Sequence, residues 1–425
     1  MTSSTAPASA EDTRRARRAV VAASLGNALE WYDITLFAFL ASTIAKVFYP
    51  GGTLAGQLMT WATFGITFVV RPLGAVLIGN YADRHGRKAA LSLTIGLMTL
   101  GVFIIVVLPG FATLGIWAAV ILAIARIIQG ISAGGEFGSA TAFLTENAER
   151  GKAYYASWQV ATQGAALVLS AGITLLLTSV LDADAMTSWG WRLAFAVGLL
   201  IGPVGMYVRT KMSDTPEFEA MEQDDTQQPV TTLFKNHLGR LLAAVAIIAL
   251  ATFSVYLLTY LVSYSKNLKL PVWAPLLGAT IAGLINLVGA PLVGRLADRV
   301  GTTRIMLGAA VAGALVGWPA FYLLQHQASV GAMIGYAVFV GVFMTFYFAP
   351  LPALLSDLFP VQVRGSGMTI AYSVGVALLG GFAPLIMTAL VDGTNLPAVP
   401  GVYYVVCSVL SVIGVSFARW RFAQR

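Results

Sequence analysis

The sequence predicts an all-α polytopic membrane protein, with twelve transmembrane helices in two pseudo-symmetric six-helix halves. Three observations carry that expectation. The chain is 57% hydrophobic and 11% charged, with a mean hydropathy of +0.78, too apolar for 425 residues to cover themselves with polar surface in water. Its apolar stretches run to roughly twenty residues, the length a helix needs to cross hydrocarbon. One string also recurs in both halves: G-N-Y-A-D-R-H-G-R-K from Gly79 to Lys88, and G-R-L-A-D-R-V-G-T-T-R from Gly294 to Arg304. Asp83 and Asp298 are 215 residues apart, as two copies of one membrane unit would place them.

The spans are expected near 19–46, 56–80, 88–108, 113–146, 153–180, 189–209, 240–263, 273–296, 303–324, 330–357, 364–391 and 401–420. The first follows a polar, basic stretch at 1–18, read as a retained tail on the cytoplasmic side. Spans two and three flank the first copy of the repeated string, and spans eight and nine flank the second. Span four ends at Glu146, ahead of Arg150-Gly151; span ten ends at Asp357, ahead of Phe359-Pro360 and Arg364-Gly365, a second internal echo. The polar stretch 210–238, with S-D-T-P-E-F-E-A-M-E-Q-D-D, separates a half at 19–209 from a half at 239–425 and reads as their linker. The single cysteine, Cys407, falls in the last span, so no internal disulfide can form.

Basic residues set the orientation. With the N-terminus cytoplasmic, all but six of the 26 Lys and Arg lie on the cytoplasmic side. The exceptions are Lys46, Arg192, Lys266 and Lys269 at outer ends, and Arg71 and Arg126 inside spans. This is the positive-inside pattern with both termini cytoplasmic, and it accounts for the net charge of +7 without nucleic acid.

The motif G-x-x-x-D-R-x-G-R-K, its second copy, and R-I-I-Q-G-I-S-A-G-G from Arg126 resemble the major facilitator superfamily across all twelve spans. G-N-A-L-E-W-Y-D (26–33), G-G-E-F-G (134–138), S-W-G-W-R (188–192) and D-T-P-E-F (214–218) are similar to its metabolite–proton symporter family. D-L-F-P-V-Q-V-R-G-S-G-M-T-I-A-Y-S from Asp357 and G-G-F-A-P (380–384) look most like the citrate and tricarballylate branch. The resemblance implies a carrier of the bacterial inner membrane, monomeric, with the major facilitator fold. It implies coupling to protons, with no cofactor or metal, and a citrate-like di- or tricarboxylate as substrate.

Ionisable groups at bilayer depth are costly and mark function. Glu30 and Asp33 lie one turn apart on span one, about 18 and 22 Å along the helix from Arg18. Asp33 with Arg126 makes either a fixed ion pair or a titrating one in which protonation and release of the arginine are linked. The family resemblance favours the latter, since an acid at the place of Asp33 there often serves with an arginine at the place of Arg126. Glu30 is an equal candidate for the proton. Glu136, nearer the cytoplasm, fits either a proton relay or a brace for the gate. Arg71 and Arg126 can grip carboxylate through a planar, permanently charged fork; for Arg71 the alternative is snorkelling or a structural pair. Gln129, Gln159, Gln163, Asn286, Tyr256, Tyr260, Tyr347 and Tyr372 are the polar candidates for lining the cavity. Asp83, Arg84 and Arg87, with Asp298 and Arg299, are expected in surface loops, where charge pairs and helix-end contacts hold the cytoplasmic side closed.

Other classes fit less well. A proline, betaine or shikimate symporter is the alternative within the same family. Betaine calls for an aromatic cage rather than two buried arginines. Osmosensing members carry a C-terminal coiled coil, and no heptads precede Arg425. No H-E-x-x-H, P-loop or Cys–His cluster points to an enzyme or a primary pump.

Overall fold

Lipid satisfies no backbone N–H or C=O, so apolar runs of this length must satisfy their own as helices. The computed structural model describes residues 27–50, 53–85, 87–134, 141, 145, 151–210, 229–360 and 363–422. Twelve rods follow in order. α1 is a bent pair, Asn27–Phe39 and Ala41–Phe48. α2 runs through Leu54–Val69 and Arg71–His85, α3 is Arg87–Val107, α4 Ile116–Ala133, α5 Lys152–Val180 and α6 Trp191–Thr210. α7 is Leu238–Tyr264, α8 Trp273–Val300, α9 Thr302–Gln327, and α10 joins Val330–Phe348 to Leu351–Leu358. α11 runs from Arg364–Val376 through a wide turn, Ala377–Gly381, to Ala383–Thr394, and α12 is Val399–Phe422. Among the described residues nine helices are long and apolar enough to cross a membrane, and α1 is a tenth if its arms count as one span. α3 and α6, of 21 and 20 residues, take the remaining two places.

The sequence repeat reappears as a packing repeat. Within the first half α2 packs on α4 and α3 on α6; within the second, α8 packs on α10 and α9 on α12. The seams between the halves, α5 with α8 and α2 with α11, exchange under the same shift of six helices. Leu73, Val76, Leu176, Leu200, Leu315 and Ile413 are exposed around the outside, whereas Glu30, Asp33, Arg71 and Arg126 are buried. Apolar surface faces lipid and charge faces inward, the reverse of a water-soluble bundle.

Three expected boundaries change. Span one is not a single rod from 19 to 46: it bends by 69° at Leu40 and reaches Phe48, whose ring packs edge-on against Trp191 at 5.3 Å. Span four does not start at 113, because Gly115, at φ 56, breaks α4 from the short turn Phe111–Leu114. The D-R pairs are not in loops. Asp83 and Arg84 lie on the last turn of α2, Arg87 opens α3, and Asp298 and Arg299 lie on the last turn of α8, which Gly301 ends at φ 108. Only Val300 stands between the D-R pair and that glycine, so the helix runs on past the pair before it ends. The tail at 1–18 and Glu136 fall outside the described residues. So does 211–228 of the linker, whose end forms a helix at Pro229–Asn236.

Backbone contact between α2 and α4 positions both arginines. A Cβ on Gly134 would lie 2.1 Å from the carbonyl oxygen of Arg71, and one on Gly130 would lie 2.3 Å from that of Thr67. Gly134→Val is therefore expected to push the helices apart at a cost of about 1–3 kcal/mol. Thermal unfolding in detergent should show a clearly lowered midpoint; an unchanged midpoint would mean the contact is not tight.

Candidate functional site

The centre of the first half is built on α1, α2 and α4. Asp33 accepts from Arg126 Nη1 at 2.5 Å through Oδ2 and from Gln129 Nε2 at 3.0 Å through Oδ1. Gln129 Oε1 accepts from the same Arg126 Nη1 at 2.7 Å, closing a ring of three side chains. One turn earlier, Glu30 Oε1 accepts from Arg71 Nη2 at 2.6 Å. Each guanidinium also lies over an aromatic face: Arg126 on Phe37 at 4.3 Å and Arg71 on Phe68 at 4.8 Å. The two pairs cancel, so the buried centre is electrically neutral.

Its hydrogen bonding is incomplete. Nε and Nη2 of Arg126, Nε of Arg71, both amide atoms of Gln163 on α5 and the hydroxyl of Tyr256 on α7 are buried with no hydrogen-bond partner. Nε and Nη2 form one edge of the guanidinium plane, the edge that grips a carboxylate through two parallel bonds. Tyr256 packs edge-on against Phe68, whose face lies under Arg71, which brings the second half to the centre. Tyr372 on α11 is buried nearby and feels Arg71 and Glu30.

The structure does not bring every expected residue to this place. Asn286 donates to the carbonyl of Val160 at 3.2 Å and accepts from Thr345, tying α8 to α5 and α10. Tyr347 donates to the carbonyl of Ile247 at 2.7 Å, within the second half. Gln159 accepts from Thr141 through Oε1, and its carbonyl accepts from Asn27. Tyr260 lies further along α7, its ring 6.5 Å from that of Trp61. Phe37 and Phe68 were missed in the sequence, although Phe37 stands one turn after Asp33 and Phe68 one turn before Arg71.

The halves meet on both sides of the centre. At the end of the bundle carrying most of the basic residues, Asp298 of α8 accepts from the backbone N–H of Ala153 and Tyr154 at 2.9 and 3.0 Å. α5 begins at Gly151, which has no capping side chain, so a carboxylate from the opposite half satisfies its free N–H groups. Lys152 pairs with Asp357 and Thr145 Oγ1 meets Ser356 Oγ at 3.0 Å across the same seam. Arg295 stacks on Tyr154; Arg299 is exposed. Asp83, Arg84 and Arg87 occupy matching helix ends, their side chains outside what is described. At the far end the contact is aromatic. Trp61, Phe64 and Phe68, on one face of α2, meet Tyr256 and Tyr260; the Phe64–Tyr256 and Phe68–Tyr256 centroids are 5.6 and 5.4 Å apart.

Two six-helix halves related by a repeat, meeting above and below a buried polar centre, define a membrane transporter. A family model of the Major Facilitator Superfamily matches residues 23–325 and 277–425. The chain is 33% identical to the Citrate-proton symporter of Klebsiella pneumoniae, over 99% of this chain and 96% of that protein. It is 32% identical to the Proline/betaine transporter of Escherichia coli (strain K12), over 95% and 83%, and 31% identical to the Alpha-ketoglutarate permease of the same organism, over 89% and 88%. The crystal structure of a D-xylose-proton symporter shares the fold at a TM-score of 0.76, with 18% identity over 96% of this chain and 97% of that one. The chain belongs to the major facilitator superfamily and, within it, to the metabolite–proton symporter family. It is a multi-pass transporter and not an enzyme.

The Asp298 contact can be tested alone. Asp298→Ala should remove about 1 kcal/mol from the closed form of the basic end, roughly a fivefold change in its population. Ser157, buried on α5 against Gly294, supplies the reporter. In a Cys407→Ser background, Ser157→Cys should react with a thiol reagent severalfold faster once Asp298 is lost. Equal rates would show that the contact does not hold this end shut.

Proposed function

We propose that the protein is a proton-coupled importer of an organic anion, a di- or tricarboxylate such as citrate, working by alternating access. It acts as a monomer in the bacterial cytoplasmic membrane, with both termini and the basic end of the bundle cytoplasmic, an orientation that the distribution of Lys and Arg supports. Glu136, on the cytoplasmic side of Arg126, serves the proton path or the gate.

One observation carries the reading: Arg126 is held by Asp33 and Gln129 through Nη1 alone, while its Nε–Nη2 edge is buried and unpartnered. A substrate carboxylate completes that edge. It also adds negative charge beside Asp33, and two carboxylates about 5 Å apart repel by about 3 kcal/mol at an effective dielectric constant near 20. A proton on Asp33 removes the repulsion and loosens its hold on Arg126. Proton and substrate therefore strengthen each other's binding by the same factor. Proton entry from the outer side, exchange of the gates and release inside make an uptake cycle.

A second reading, a carrier of proline or betaine, is favoured by the aromatic wall of Phe64, Phe68 and Tyr256 next to the centre. Against it, the faces of Phe37 and Phe68 are already covered by guanidinium groups rather than open to a ligand cation.

The readings separate in a thermal-shift screen of purified protein against citrate, tricarballylate, α-ketoglutarate, shikimate, proline and betaine. Stabilisation by a carboxylate of the first three supports the proposal; stabilisation by proline or betaine alone overturns it. Arg126→Lys keeps the charge beside Asp33 but loses the fork. It should weaken carboxylate binding by about 1.5–3 kcal/mol, tenfold or more, with little change in thermal stability. An unchanged dissociation constant would return Arg126 to a purely structural pair. Asp33→Asn should keep substrate counterflow in proteoliposomes and accumulate substrate less for a given pH gradient; an undiminished accumulation ratio in this variant would move the proton site elsewhere.

A further inference from the structure

The centre contains two ion pairs that share no atom. Glu30 with Arg71 joins α1 to α2, and Asp33 with Arg126 joins α1 to α4. Among the described residues these four are the only buried charged side chains. Around them stand the neutral amide of Gln129 and the phenols of Tyr256 and Tyr372; the hydroxyl of Tyr32 is spent on the carbonyl of Ala194 at 2.6 Å.

Both guanidinium groups keep a buried N–H with no partner, Nε and Nη2 on Arg126 and Nε on Arg71. Tyr256 packs on Phe68, whose face lies under Arg71, and on Phe64, which stacks on the Phe37 ring under Arg126, and its hydroxyl is unpartnered. A ligand meeting Tyr256 from the first half therefore has both arginines within reach. A carboxylate on each adds two negative charges to a neutral, buried centre. Two acceptors for compensating protons are present, one beside each arginine. A third arginine is absent from the buried described residues.

Resting on the carboxylate reading above, we infer that each ion pair is one arm of a two-proton exchange: a dianion is carried with one proton on Asp33 and one on Glu30. In each arm the proton bonds to a carboxylate oxygen, the guanidinium keeps its charge, and the substrate carboxylate becomes its counter-ion. Four charges before binding become two cations and two anions after it, so neutrality is kept. A tricarboxylate finds counter-ions for two of its groups and is carried in its singly protonated, dianionic form. A zwitterion with one carboxylate uses only one arm.

The test is a thermodynamic ratio in proteoliposomes with the membrane potential clamped at zero. The probe is α-ketoglutarate at mildly alkaline pH, where both of its carboxyl groups are ionised. Two coupled protons should accumulate it about a hundredfold for each unit of pH gradient, against about tenfold for one. A tenfold limit in the unaltered protein overturns the inference while leaving the carboxylate reading intact; failure to bind any carboxylate overturns both. Proton uptake on substrate addition to the weakly buffered, solubilised protein gives a second count that needs no transport. It should be two per bound dianion in the unaltered protein and one in both Glu30→Gln and Asp33→Asn. A count of two in either variant would remove that carboxylate from the proton inventory.

Discussion

Burying charge at the depth of a bilayer constrains everything else in this molecule. Two carboxylates and two guanidinium groups lie among helices whose outer faces are apolar, and each would be prohibitively costly alone. The structure meets the cost by exact cancellation of charge, by the amide of Gln129 on Asp33, and by aromatic faces under both cations. Close backbone contact of α2 with α4 at Gly130 and Gly134 sets the two arginines opposite the carboxylates of α1. What the pairing leaves unfinished, the free edge of Arg126 above all, is what a substrate can complete.

The two ends of the bundle are sealed by different physics. At the basic end the seam is polar and directional, with helix N–H groups of α5 on Asp298, Lys152 on Asp357 and Thr145 on Ser356. At the far end it is a stack of rings from α2 and α7. Phe68 and Tyr256 belong to that stack and also border the charged centre, so a change of charge there is felt directly by the aromatic seal. The basic end has no such shared residue among the described ones. Its link to the centre runs along the helices, chiefly α5 and α8, which pack through Gly164 and Gly283.

Much of this was legible in the sequence, for physical reasons. The duplication showed because a repeated unit keeps its turn motif in register, and the spans showed because lipid demands long apolar helices. Charges at mid-span were visible because they are rare. Azimuth was not legible. Depth alone placed Arg71 toward one end but did not say that it meets Glu30, since nothing in a uniformly apolar helix reveals which face turns inward. For the same reason Asn286 and Tyr347, chosen by residue type, lie in helix–helix contacts. The D-R motifs read as loops because charge usually ends a span, whereas here the helices run on beyond the apolar stretch, to His85 in the first half and Val300 in the second. The bend at Leu40 had no signal, because it answers to tertiary contacts such as that of Phe48 with Trp191.

In this mechanism substrate binding puts a proton on Asp33 next to a guanidinium that remains charged. Infrared difference spectroscopy on the purified carrier, with a fully ionised carbon-13-labelled dicarboxylate, observes that proton directly. A protonated-carboxyl band unaffected by the label should appear on binding and shift in deuterium oxide, and Asp33→Asn should lose its share of it. Binding with no such band, or with the full band in Asp33→Asn, would contradict the account.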